Sequence, residues 1–501
     1  MRKNHFIGFF LASVVVLTMA MLTGCTSVAE NSGARTANDS GKIPITTRSD
    51  EARKEFMQGR ELTDKLLIQD SIRHFDKALS LDADFALAEL NRATSSPTAR
   101  EFFDHLKKAV SLADKASNGE KLLILGAEAG ANGNAAKQKE YLEQLVAAYP
   151  NDERAHFNLA GYYFGQQDMT KAIEHYKKAI ELAPNYSSAY NLLGYAYRQN
   201  VDYANAEQAF KKYIELIPKD PNPYDSYAEL LLKMGRFDES IAQYNKAVSI
   251  DTNFINSHLG IAANLMYMGK HAEAQTELQK IIRKARSDGE MRTALVGMTV
   301  VEADGGKMGN ALAKMDEQYA LGEKTKDVPA MAGDLQTKGN ILLEMGRYDD
   351  AKKLFEQTLK MTEGSNLSQE IKDNTRRFDH YNRARIELGR KDYATAKTEA
   401  EEFRKSAEAA KNPVQMKQAH ELMGMVALEE KSYDKAIAEL QQSNLQNPYN
   451  LYRLCLAHQG KGDSAKAKEF CMKAADFNAL PLMNLAFIRT KAQKMSAGMK
   501  N

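Results

Sequence analysis

Three prolines set the terms for this chain: Pro150, Pro184 and Pro218 stand thirty-four residues apart, and Thr252 takes the next place in step. Between them recur Ala172, Tyr176 and Ala179, then Ala206, Phe210 and Tyr213, then Ser240, Tyr244 and Ala247. Steps of three and four residues put each trio on one face of an α-helix. Proline lacks the amide donor and clashes with the preceding turn, so each proline ends one helix and opens the next turn. A period of this length marks one supersecondary unit copied many times, and no single copy can bury its apolar face alone. Stacked copies bury a continuous core, which excludes the three or four unrelated domains that 501 residues would otherwise suggest. Composition agrees with an all-helical chain: no Trp, only 11 Pro, and 43% hydrophobic residues. Basic and acidic residues balance at 68 to 66, a net charge of +2, which argues against a nucleic-acid binder.

The details inside the period resemble the tetratricopeptide repeat, with its Trp-x2-Leu-Gly-x2-Tyr, Ala-x3-Phe and Pro positions. Tyr190 holds the Trp place, followed by Leu193, Gly194, Tyr197, Ala206, Phe210 and Pro218. The register extends upstream through Gly59 and Phe75, Ala93 and Phe102, and Gly126 and Leu142. Downstream it runs through Ala262 and Leu278, Gly339 and Phe355, Ala384 and Ala396, Gly424 and Leu440, and Cys455 and Cys471. This resemblance implies an all-α, right-handed α-solenoid of about 12 helix-turn-helix repeats over residues 48–480. Residues 287–330 fit the pattern loosely, so the array reads as two sub-arrays, 48–286 and 287–480, with a hinge near the join. Residues 481–501 read as a solvating cap helix and tail, with Arg489, Lys491 and Lys494 facing water or, as the alternative, anionic lipid head groups.

The first 24 residues stand outside the array. Arg2 and Lys3 precede an apolar run from Phe6 to Leu22, which is the layout of a secretory signal. Leu22-Thr23-Gly24-Cys25 resembles the cleavage site of bacterial lipoproteins, which implies a lipid-modified Cys25. More than one acyl chain gives stable anchoring, so the expected partner at this end is a membrane. Residues 25–47 are rich in Ser, Thr, Asn and Gly and read as a lipidated flexible tether, whose reach is about 25 Å. In proteobacterial lipoproteins an Asp after the cysteine favours inner-membrane retention; Thr26 stands there instead, so the resemblance implies the outer membrane, facing the periplasm.

Catalytic and cofactor signals are weak, and no catalytic residue, metal ligand or cofactor is expected. His420-Glu421 begins like a zinc-protease helix, but Gly424 stands where the second His belongs. Gly460-Lys-Gly462-Asp-Ser-Ala465 has glycines like a dinucleotide fingerprint, yet a helix precedes it where that motif needs a strand. Cys455 and Cys471 fall on the two helices of one repeat, at places that face each other. In an oxidising compartment they form an intra-repeat disulfide; otherwise they are two small packed thiols.

The leading functional expectation is a membrane-anchored scaffold that binds a protein or peptide, with no nucleic-acid partner. A narrower version is an assembly factor for an outer-membrane machine such as a secretin or barrel complex. An enzyme with its site in 287–330 is the alternative from another class. The family places its ligands in the concave groove, lined by the second, fifth, ninth and twelfth places of each first helix. Carried onto this chain, those places give Arg154, Phe157, Asn191, Tyr195, Arg198, Asp225, Glu229 and Asn256. That mixture suits a polar peptide carrying both charges.

Overall fold

The computed structural model describes residues 41–499 apart from Leu66, so the signal-like segment, Cys25 and the tether up to residue 40 lie outside the described residues. Among the described residues there are twenty-five α-helices and a 3-10 turn at Ala113–Lys115. They run as twelve consecutive pairs, from Asp50–Asp64 with Ile68–Leu81 to Pro448–Lys461 with Ser464–Ala475, followed by Met483–Gly498. The all-α array of repeats is therefore seen, and the number of pairs agrees with the periodicity.

Local chemistry explains why each pair turns where it does. Gly235, Gly269, Gly346 and Gly462 hold φ values from +71° to +88°, a left-handed region that favours glycine. Second helices then open on an aspartate cap: Asp168, Asp202, Asp392 and Asp463 each accept the backbone N–H three residues on. Close approach within a pair depends on small residues facing large ones. A Cβ on Gly194 would lie 2.7 Å from the Phe210 ring, and one on Gly260 would run into that of Tyr244. Phe210 and Tyr244 are fully buried, so those rings occupy the space a side chain would need.

The chain divides into two compact units at Tyr227 and Ala228 rather than near residue 286. The first unit builds its core from the repeated aromatics: Phe56 lies 4.9 Å from Phe85 and 6.0 Å from Phe75, ring centre to ring centre. Phe157 packs in the same way against Tyr176 and Tyr186. Residues 42–47, which composition assigns to a tether, are held against this unit by hydrogen bonds.

In the second unit the stretch 287–330 forms an ordinary pair, Asp288–Asp304 with Met308–Thr325. Its helices have 17 and 18 residues, where Glu153–Gly165 and Met169–Leu182 have 13 and 14, and the extra turn displaces the period without breaking the stack. The last helix departs from its expected role. Met483–Gly498 folds back onto the second unit, and Leu485, Phe487, Ile488 and Ala492 are buried with Ala262, Met298 and Val301 in one core. Arg489, expected in water, is buried and clamps the fully buried Asp304 carboxylate through Nε at 2.7 Å and through Nη2. Lys491 pairs with Glu344, and Lys494 is exposed as expected. The segment before this helix is tied down too: the Tyr267 hydroxyl donates to the Ala479 carbonyl at 2.5 Å and accepts its amide at 3.0 Å. In the last pair, Cys455 and Cys471 are joined as a disulfide with Cα atoms 5.1 Å apart.

Candidate functional site

A protein-binding array needs accessible polar or aromatic groups on a rigid frame, so exposure decides among the eight residues expected in the groove. Phe157 is fully buried and belongs to the core. Arg154 is buried as well; its Nη2 reaches Asp152 at 3.1 Å and donates to the Ile43 carbonyl. Asp225 and Glu229 are each 7% exposed. Asn191, Tyr195 and Arg198 share helix Ser187–Gln199 and are half-buried, and Asn256 is exposed. Tyr195 stands edge-on to Phe210 at 5.2 Å, and the Arg198 guanidinium stacks 4.8 Å above the Tyr195 ring. The structure thus narrows the expected strip on the first unit to one helix. Phe157 packs instead against Tyr176 and Tyr186, and Arg154 is taken up by Asp152 and the Ile43 carbonyl.

The sequence reading missed a second arrangement. Residues 42–48 run extended past the entries of repeats two, three and four. The Ile43 amide donates to Asp152 Oδ2 at 2.7 Å, the Thr46 amide to Glu120 Oε1 at 2.7 Å, and the Arg48 amide to Asp82 Oδ2 at 3.0 Å. Hydroxyls add to this, with Thr46 Oγ1 on Glu120 at 2.5 Å and Thr47 Oγ1 on Asp82 at 2.6 Å. Burial works against the charged forms of Asp82 and Asp152. For Asp82 the Thr47 hydroxyl and the Arg48 amide outweigh it, for Asp152 the Arg154 guanidinium and the Ile43 amide, and both carboxyls sit below their ordinary pKa. The available signal was Ile43-Pro44-Ile45-Thr46-Thr47, a β-branched run with a proline that disfavours helix.

Buried charges elsewhere are paired in ways that hold the stack. In the second unit Arg292 meets both oxygens of Asp334, at 2.7 and 2.8 Å, and donates to the Gln318 carbonyl at 2.7 Å. Burial pushes the Asp334 carboxyl up to about 6, against the pull of Arg292. Three of the scattered histidines follow a rule that spans the helix pairs. His258 meets Glu277, His380 meets Glu399 and His420 meets Glu439, each nineteen residues apart. His420 is therefore engaged by a carboxylate of its own repeat. No group of three or more metal-ligating side chains occurs among the described residues. The glycines at 460 and 462 lie at a helix end, where Asp463 caps the following helix.

In the first unit Asp64 accepts from the Ser188 hydroxyl at 3.0 Å. Burial pushes its carboxyl up to about 7, with Arg60 pulling the other way. A folded-state pKa above the unfolded value means that the folded chain binds the proton more tightly. The resulting stability is complete below about pH 4 and is lost as pH rises through 7. His156 and His175 are shifted down, chiefly by burial, and act in the opposite sense. Comparison with Asp64→Asn isolates the carboxyl: thermal melting of the wild type relative to this variant should fall between pH 5 and pH 8. A constant difference across that range would contradict the assignment.

Family models described as tetratricopeptide repeat match residues 152–219, 222–254 and 335–364. No curated protein matches the chain. Among solved structures, a thermophilic tetratricopeptide-repeat protein of Thermus thermophilus is 22% identical, covering 36% of this chain and 98% of its own, with a TM-score of 0.31. A tetratricopeptide repeat protein of Parabacteroides merdae is 16% identical, covering 57% and 99%, with a TM-score of 0.35. The MamA protein is 23% identical over 32% of this chain and 89% of its own, with a TM-score of 0.28. With the glycine-to-aromatic contacts inside its helix pairs, and with matches in both units, this chain carries tetratricopeptide repeats, which imply a protein-interaction scaffold.

Proposed function

We propose that the chain is a lipid-anchored scaffold of the bacterial cell envelope, facing the periplasm, that holds a protein or peptide partner close to the membrane without catalysing a reaction. The observation that carries this reading is the pairing of Leu22-Thr23-Gly24-Cys25, at the end of an apolar run, with a repeat array. No helix among the described residues is long and apolar enough to cross a membrane. The proposed contact surface is the helix Ser187–Gln199, through Asn191, Tyr195 and Arg198. An enzyme site in 287–330 loses support, because Asp288, Glu290 and Asp304 are engaged by Lys324, Arg286 and Arg489.

Cys25→Ser tests the anchor. In fractionated cells the variant is expected in the soluble fraction while the wild type sediments with membranes. Equal membrane recovery of the two proteins would remove the lipid anchor from the proposal.

A further inference from the structure

Asp82, Glu120 and Asp152 form a ladder of carboxylates at the entries of three successive repeats, and each rung accepts one backbone amide of residues 43–48. The segment runs opposite to the repeat order, with Ile43 at repeat four and Arg48 at repeat two. Among residues 42–48 only Ile43 is fully sheltered, at 3% exposed. Its side chain sits at Gly119, where a Cβ would lie 2.9 Å from Ile43 Cγ2 and 2.8 Å from the Tyr149 ring. The ends of the segment are marked by charge: Lys42 pairs with Glu153, and Arg48 lies 3.9 Å from Asp84.

These contacts are those of a bound peptide rather than of a repeat. They read main-chain amides, two hydroxyls and one apolar anchor, and the contacting residues lie 34 to 109 positions away in sequence. We propose that this edge is a binding site for an extended polypeptide segment, that residues 42–48 are its intramolecular occupant, and that a partner segment takes their place. The partner's chemistry follows from the rungs: a basic residue, a β-branched anchor directly after it, and hydroxyl residues three and four places beyond the anchor. Residues 42–48 belong to no helix, and ordering seven residues costs entropy, so the segment leaves its seat before the array unfolds. Glu120 is fully buried and also accepts the Ser117 amide and hydroxyl, at 2.9 and 2.7 Å, so the central rung stays in place when the segment leaves. The inference stands apart from membrane anchoring.

The test uses the full chain and a fluorescent synthetic peptide with the sequence of residues 41–50. Ile43→Asp places a carboxylate in the sheltered seat at Gly119 and unseats the internal segment. The folded variant is expected to bind the peptide at least tenfold more tightly than the wild type, and adding Glu120→Gln should return binding to the wild-type level. Equal binding by wild type and a folded Ile43→Asp chain, or none by either, would overturn the proposal. Hydrogen exchange of the wild type decides the matter should the variant unfold. The amides of Ile43, Thr46 and Arg48 should exchange together and at least tenfold faster than those within helix Asn118–Ala131. Exchange of the three only at the rate of that helix would make the segment an integral part of the fold and end the proposal.

Discussion

A chain ending at Leu482 is expected to lose about 5–9 kcal/mol of stability in its second unit, because Leu485, Phe487 and Ile488 each contribute roughly 1.5–3 kcal/mol through burial. Domains of ordinary stability have about 5–15 kcal/mol in hand, so this loss removes most or all of the cooperative transition. Truncation also strips Arg489 from the fully buried Asp304 side chain, leaving it the His271 ring at 2.8 Å. Urea unfolding followed by circular dichroism should show the second unit melting early or without a sharp midpoint. An unchanged transition would mean that Met483–Gly498 is a dispensable solvating cap.

Arg292→Ala should destabilise the second unit by about 3–5 kcal/mol, the usual cost of removing one partner from a buried ion pair. Three groups depend on this guanidinium: both oxygens of Asp334 and the Gln318 carbonyl. The loss should shrink on going from pH 8 to pH 5, since the stranded Asp334 carboxyl, already raised to about 6 with its partner present, takes up a proton in the folded state. Replacing the pair together, as Arg292→Met with Asp334→Leu, should recover much of the loss. A single variant as stable as the wild type at pH 8 would show that the pair is not structural.

What the sequence could reveal followed from what repeats enforce. The Gly194–Phe210 approach recurs with the period, so helix pairs, their number and their turns are legible in the sequence. Residues 287–330 were not, because one added turn per helix shifts the spacing while leaving the packing intact. The last helix was misjudged for a different reason. Arg489, Lys491 and Lys494 read as a solvated face, and only the fold shows that Asp304 waits where Arg489 arrives. Of the expected groove residues, Arg154 and Phe157 have consensus positions but lie under neighbouring side chains, since periodicity gives a residue's place in its helix and not the width of the groove. The extended segment at 42–48 has no period at all, and its contacts are long-range. Its neighbours in sequence have the composition of a linker, so its short β-branched run stands out only beside the three carboxylates opposite.

The most direct test of the scaffold reading is partner capture by photo-crosslinking in intact membranes, comparing the wild type with Tyr195→Ala combined with Arg198→Glu. Stacked aromatic and Arg groups commonly carry about 2 kcal/mol or more each at a protein interface, so the double variant should lose capture at least tenfold. Its helical melting curve should stay close to that of the wild type, because both side chains keep solvent contact. Undiminished capture of the same partner by the folded double variant would contradict the account and move the contact surface away from helix Ser187–Gln199.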